Sequence, residues 1–224
     1  KIPDGMFLEG GDVIPFEYDG KKVLLIGYER RTSKETLYYL RDNLINEGLV
    51  DEIIGIRLAE WRINLDGGFV PVSKDIIVTH PDSILDGLIL TKESETIINP
   101  IEYFKSIGYK IIATTKEDSL FKQTCNCFCA GNNTIFTYNV TDEINEKIRE
   151  NGVNVIYLKD LLDKDFIEKN KKIFEKNPNQ VYTRDALITI PWIPGKYIVG
   201  KMKSEIRRKE YIMLEEAVKK LGLT

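Results

Sequence analysis

Asp12, Asp66 and Asp185 stand at the same place in three stretches of this chain, each at the head of an apolar run that soon turns back on itself. Carboxylates brought to a shared centre can hold a cationic ligand, and a planar fork of N–H donors suits them best because it can be met bidentately. Glu9, in Leu8-Glu9-Gly10-Gly11-Asp12, adds a further carboxylate, and the Gly pair lets the backbone approach a ligand or bend sharply. Each of these acids could equally be a turn or cap residue, a common role for Asp beside Gly. The other candidates for chemistry are few. Cys125, Cys127 and Cys129 alternate, so in a strand they share one face. They fall short of a four-ligand zinc set and of a disulfide framework. Buried small apolar side chains are their plain reading, because a nucleophilic Cys needs a nearby base or cation and the sequence offers none. The single His, His80 in Val78-Thr79-His80-Pro81, follows a strand and is read as structural.

The elements that would position these residues form one pattern written four times: strand, tight turn, strand, helix, strand. The first copy opens at Gly11-Asp12, turns at Asp19-Gly20, a strong hairpin signal, and passes through a helix from Ser33 to about Asn46 before a strand at Ile53 to Ile56. The second opens at Asp66, turns at Ser73-Lys74, and reaches a helix at Pro100 to Ser106 after an insertion at about Asp82 to Asn99, read as a loop. The third opens at Cys125, turns at Gly131-Asn132-Asn133, and has a helix from Asp142 to Glu150 behind Thr141, then a strand from Val153 to Leu158. The fourth opens at Arg184-Asp185, turns through Pro191 to Gly195, and has its helix from Ser204 to Lys220. Helices start near residues able to cap an orphan N–H, and most stop near Gly. A ring of similar units around a common centre would produce such a period; an ordinary open α/β domain whose alternation merely looks repetitive is the alternative.

Composition bounds the partners. With 224 residues and 42% hydrophobic content the chain can bury a sizeable core, and nothing in it is long and apolar enough to span a membrane. No signal-peptide pattern is visible, which together with the free cysteines suggests a cytoplasmic location. A net charge of −3 with interleaved signs argues against a general nucleic-acid binder. Lys203, Arg207, Arg208 and Lys209, the densest basic cluster, read as one face of a helix.

The Leu8-Glu9-Gly10-Gly11-Asp12 segment, taken with Tyr182-Thr183-Arg184-Asp185, Glu29-Arg30-Arg31-Thr32, Asn64-Leu65-Asp66, Ile206-Arg207-Arg208-Lys209-Glu210 and Cys125-Asn126, resembles the arginine deiminase and amidinotransferase superfamily, the guanidino-modifying enzymes of the pentein fold. The likeness covers most of the chain. It implies a pentein-type α/β propeller of ββαβ units in a single domain over residues 1–224. The repeats are about 10–57, 66–114, 125–158 and 181–224 with 1–9, and a reduced or missing fifth is left at about 159–180. The motif order departs from the family's, in which the Arg-Asp segment precedes the Glu-Gly-Gly-Asp segment; joining Thr224 to Lys1 restores it. Either the chain is a circular permutant or its segments run out of their biological order, and a closed ring would tolerate permutation.

The resemblance also implies roles. Asp185 and Asp66, with Arg184 beside them, would bind the guanidinium of arginine or a related small compound. Glu9 would orient the catalytic base, and Asp12 would close an internal hydrogen bond. The family's proton-shuttling His falls at Asn64, which cannot exchange protons near neutral pH. Its nucleophilic Cys, in a Gly-rich segment, has no counterpart after the 153–158 strand, where Lys159 to Asn177 reads as a polar helix. The function expected is thus amidinohydrolase or amidinotransferase chemistry through a covalent Cys intermediate whose Cys segment is not among these residues. A catalytically silent guanidino-compound binder and an interaction protein on the same fold are the alternatives. Neither metal nor organic cofactor is implied, and a homo-oligomer is compatible with the sequence.

Overall fold

The computed structural model describes residues 1–131, 133–137, 142–176, 186–200 and 205–224. Strands β1 (Val13–Tyr18) and β2 (Lys21–Tyr28) form a hairpin whose turn residues Asp19 and Gly20 both have positive φ, 50° and 72°, the conformation that matches strand twist. Helix α1 (Lys34–Leu40) continues into a wider turn at Arg41–Ile45 and leads to β3 (Glu52–Leu58), parallel to β2. The second unit repeats the plan with β4 (Phe69–Pro71) antiparallel to β5 (Ile76–Thr79).

The 82–99 insertion is not the loop expected. It holds β6 (Ile84–Leu90) and β7 (Glu95–Ile98), a hairpin closed by Thr91 and Ser94, and β6 pairs antiparallel with β3. The polar Lys92-Glu93-Ser94 turn disguises two apolar runs. Their pairing covers an edge that would leave the backbone of β3 exposed, and completes a five-stranded sheet, β1-β2-β3-β6-β7. Ile53, Ile54 and Ile56 of β3 are thereby fully buried.

Helix α2 (Pro100–Ser106) begins where Pro at the first helical position and the Asn99 cap demand; Asn99 Oδ1 accepts from the Glu102 N–H at 3.1 Å. It leads to β8 (Lys110–Ala113), parallel to β5. Helix α3 (Lys116–Phe121) follows, capped by Thr115, and was not anticipated. The third unit contains β9 (Phe128–Gly131), β10 (Thr134–Thr137), α4 (Asp142–Glu150) and β11 (Asn154–Tyr157), again antiparallel then parallel. The polar run after it forms three short helices, α5 (Leu158–Leu161), α6 (Lys164–Lys169) and α7 (Lys171–Lys176), instead of one. Asp163 and Asn170 interrupt it. Among the described residues the fourth unit is the hairpin β12 (Leu187–Thr189) and β13 (Tyr197–Val199) plus α8 (Tyr211–Lys220), so three ββαβ units are complete where four were expected. Its helix starts seven residues later than the sequence suggests, behind a 3-10 turn at Glu205–Arg207. Arg207, Arg208 and Lys209 of the basic cluster therefore lie in turns ahead of α8 and not on a helix face, with Arg207 paired to Glu210 and Arg208 to Glu205; Lys203 lies outside the described residues.

Neighbouring units are stitched through their opening strands. Cys129 Sγ donates to Pro71 O at 2.9 Å, joining β9 to β4, and Thr189 Oγ1 donates to Cys129 O at 2.7 Å, joining β12 to β9. Cys125 and Cys127 are buried in the cluster built from β4, β5, β10 and α4, and Cys129 packs against it; β9 begins only at Phe128, so the three share a cluster rather than one strand face. Gly87 marks how closely β6 approaches β3: a methyl group there would lie 2.6 Å from Gly55 O. Gly87→Ala is therefore expected to lower stability by about 1–3 kcal/mol in urea unfolding; an unchanged midpoint would mean that the hairpin does not pair with β3.

Candidate functional site

The carboxylates gather at the entry to the opening strands. Gly10–Asp12 forms a single tight turn into β1, and Leu65–Gly67 does the same into β4. These two entries touch. Asp12, fully buried, accepts from Thr32 Oγ1 at 2.7 Å and from the Leu65 N–H at 2.9 Å. Thr32 Oγ1 in turn accepts from the Glu9 N–H at 3.2 Å, so one hydroxyl fixes both ends of the Glu9-to-Asp12 segment. Gly27 makes room for this junction, since a side chain there would meet Leu65 Cβ at 2.7 Å and Asp12 Oδ1 at 2.8 Å.

Glu9 and Asn64 are brought together. Asn64 Nδ2 donates to Glu9 Oε2 at 3.1 Å, and Glu9 also pairs with Arg31 at 3.7 Å. Asp66 is buried near Asn64 and the Gly11 backbone: a methyl group on Gly11 would stand 3.1 Å from Asp66 Oδ2 and equally near Asn64. Arg184 and Asp185, expected to complete the set, lie outside the described residues. Glu29 carries a backbone φ of 106°, rare for a residue with a side chain, in the short turn that presents Arg30, Arg31 and Thr32 beside Glu9.

His80 stays away from this group. It is buried, shares a hydrogen bond of 3.0 Å with Ser83 Oγ, and packs edge-on to Trp61 at 5.4 Å. Burial lowers its pKa, with Asp82 opposing and Arg62 and Lys116 reinforcing the effect. Cys125 is unsuited to nucleophilic work, since burial pushes its thiol up to about 12. Among the described residues no three His, Cys, Asp or Glu side chains are grouped to hold a metal ion, and no helix is long and apolar enough to cross a membrane.

Sequence reasoning overlooked Arg62, Ser83 and Ser119, which form a buried polar cluster under the Asp66 turn. The only signal was Arg62 itself, set between Trp61 and Ile63 two residues ahead of Asn64. A cavity of about 1000 Å³ lies elsewhere, between the turn ends of the opening strands, and is lined by Phe16, Val72, Phe128 and Leu187 among others; none of Glu9, Asp12, Asn64 or Asp66 lines it.

A sequence profile described as arginine deiminase matches residues 2–161. Among solved structures, the chain is similar to the apo form of ArgZ, an arginine dihydrolase from the ornithine-ammonia cycle in cyanobacteria. The TM-score is 0.53 with 22% identity, over 70% of this chain and 22% of that one. AgrE in a ternary complex with ornithine and NAD+ gives 0.53 and 20% identity, over 70% of this chain and 20% of that one. The N-terminal domain of ArgZ bound to product gives 0.52 and 20%, and there the match covers 70% of this chain and 51% of the domain. This chain therefore spans well under two thirds of each, and likeness at such identities speaks for a shared mixed α/β fold.

Burial is the largest influence on Asp12 and raises its carboxyl pKa to about 6, against the lowering effect of Thr32, the Leu65 N–H and Asn64. An unfolded Asp titrates at ~3.9. Between those values the folded chain holds a proton that the unfolded chain has released, so this contribution is full below about pH 4 and is lost as pH rises through about 6. The parent is expected to lose up to ~3 kcal/mol relative to Asp12→Asn between these limits, read from urea unfolding of both proteins. Parallel pH curves would show that Asp12 titrates as it does in the unfolded chain.

Proposed function

The chain belongs to the arginine deiminase family of the pentein superfamily, and from that premise we propose that it carries the substrate cradle of a guanidino-modifying enzyme, an amidinohydrolase or amidinotransferase acting on arginine or a related small compound. The observation that carries the reading is the convergence of Glu9, Asn64 and Asp66 where two opening strands begin, held by the Asp12 junction. A guanidinium is a planar cation with N–H donors along its edges, and carboxylates at those edges hold it while its faces stay open to a nucleophile. In this reading Asp66 and Asp185 grip the edges, with Arg184 beside them, and Glu9 orients the group at position 64. The covalent step needs a thiolate; Cys125 and Cys127 are buried and Cys129 is engaged with Pro71 O, so in this reading the nucleophile belongs to a Cys segment that is not among these residues. The three complete ββαβ units and the stitched opening strands support a single propeller-like domain over residues 1–224, with 159–180 standing where a fifth unit would be.

One observation favours a second reading, a guanidino-compound binder without turnover. Asn64 satisfies Glu9 as an amide donor, which preserves the polar geometry while removing the proton carrier. Calorimetry with arginine, agmatine and dimethylarginine decides whether any guanidino compound binds, and release of ammonia, urea or citrulline decides between the readings. Binding of at least one compound is expected, weakened by about 2–5 kcal/mol in Asp66→Ala. No binding by any of the three overturns both readings; binding without release selects the second.

A further inference from the structure

The protein has a guanidinium of its own beneath the acid proposed to grip a ligand's. Arg62 is 3% exposed. Its Nη2 donates to Ser119 Oγ at 2.6 Å and its Nε reaches Ser83 Oγ at 3.4 Å. Ser119 Oγ passes the link on, donating to Gly67 O at 2.8 Å, so the cation is tied to the residue after Asp66 through one hydroxyl. Gly67 and Gly68 close over it: a methyl group on Gly67 would lie 2.6 Å from Arg62 Nη1, and one on Gly68 would lie 3.1 Å from Nε and 2.9 Å from Ser83 Cβ. This turn can exist only because its two residues lack side chains, and what fills the space is a buried positive charge. The hydrogen-bond partners found for that charge are neutral hydroxyls, and a buried cation needs opposite charge nearby.

Resting on the guanidinium-binding reading, we propose that Arg62 is a positioning residue for Asp66: locked under the Asp66-Gly67-Gly68 turn by Ser83 and Ser119, its guanidinium keeps the Asp66 carboxylate ionised and aimed at a ligand cation. Burial lowers the pKa of Arg62, and the negative groups whose fields oppose that effect are Cys125 and Asp66; Cys125, held neutral, leaves Asp66 as the charged one. Taking a cation away from beneath a buried carboxyl favours its protonated form, and a protonated Asp66 would hold a guanidinium poorly. Arg62 thus gives the site its charge in advance of the ligand. Among the described residues, the other titratable groups near this cluster include Asp12 and Glu9 on the first unit, His80 beside Ser83 with Asp82 and Lys116 acting on it, and Cys125 on the third. All of them are unchanged in an Arg62 variant, so a comparison with the parent isolates Arg62.

Carbon-13 titration of the side-chain carboxyls, with the Asp66 resonance assigned through Asp66→Asn, tests this without any ligand. In Arg62→Met the Asp66 midpoint is expected about 1–3 pH units above the parent's, while Arg62→Lys stays with the parent. Arg62→Gln keeps hydrogen-bond donors while removing the charge; it gives the same upward movement, and serves if the Met variant does not fold. Coincident Asp66 curves in the parent and the neutral variant overturn the inference. Calorimetry with agmatine on the same proteins separates it from the functional reading. A raised midpoint should be accompanied by about a tenfold loss of affinity per pH unit below it. A midpoint raised in the neutral variants, where the parent binds no guanidino compound, would leave the coupling of Arg62 to Asp66 standing and remove the cradle.

Discussion

The candidate site depends on one buried carboxylate. Asp12 is fully enclosed, yet its two oxygens are each met by a donor from a different part of the chain, Thr32 before α1 and the Leu65 N–H at the entry to β4. Burying a carboxylate is costly unless hydrogen bonds replace its water, and donors from two separate segments can be supplied only if both segments are in place. Asp12 therefore makes the relative position of the first two units a condition for its own burial. Glu9 and Asn64 face each other because Asp12 and Thr32 fix the two turns that carry them.

Small residues set the distance of that approach. Gly27 lies under the junction, where any side chain would collide with Leu65 and Asp12. The two ends of the opening strands consequently differ. At the entry end, glycines and buried polar groups draw the units together, whereas the turn end leaves an apolar cavity of about 1000 Å³ lined by Phe16, Val72, Phe128 and Leu187. Size alone would place a ligand in that cavity. Under the proposed reading a guanidinium needs fixed acceptors, and the entry end offers carboxylates held in place.

Local signals in the sequence were read well where a few residues decide the outcome. Asp19-Gly20 determines its hairpin, Asn99-Pro100 starts α2 at the expected residue, and the alternating cysteines share one buried cluster. The 82–99 segment was misread because its partner is nonlocal: β6 becomes a strand by pairing with β3, some thirty residues earlier. The Glu9, Asp12, Asn64 and Asp66 group was legible because it sits in two short motifs. Arg62 was not, since its role comes from Ser83 and Ser119, which only the folded chain brings beneath the Asp66 turn.

An amide at position 64, where the family resemblance puts a His, separates two demands that one His would meet together. A His there could both hold Glu9 by a hydrogen bond and carry a proton, and those tasks draw on different properties: geometry for the first, a pKa near neutrality for the second. Asn64 retains the geometry, with its amide 3.1 Å from Glu9. The carboxylates around it stay organised because their positions rest on Asp12, Thr32 and the Gly67-Gly68 turn over Arg62, none of which requires a titrating group at position 64. Under the proposed reading, holding a cation and doing chemistry upon it draw on separable groups, and the geometry at position 64 serves the first without the second.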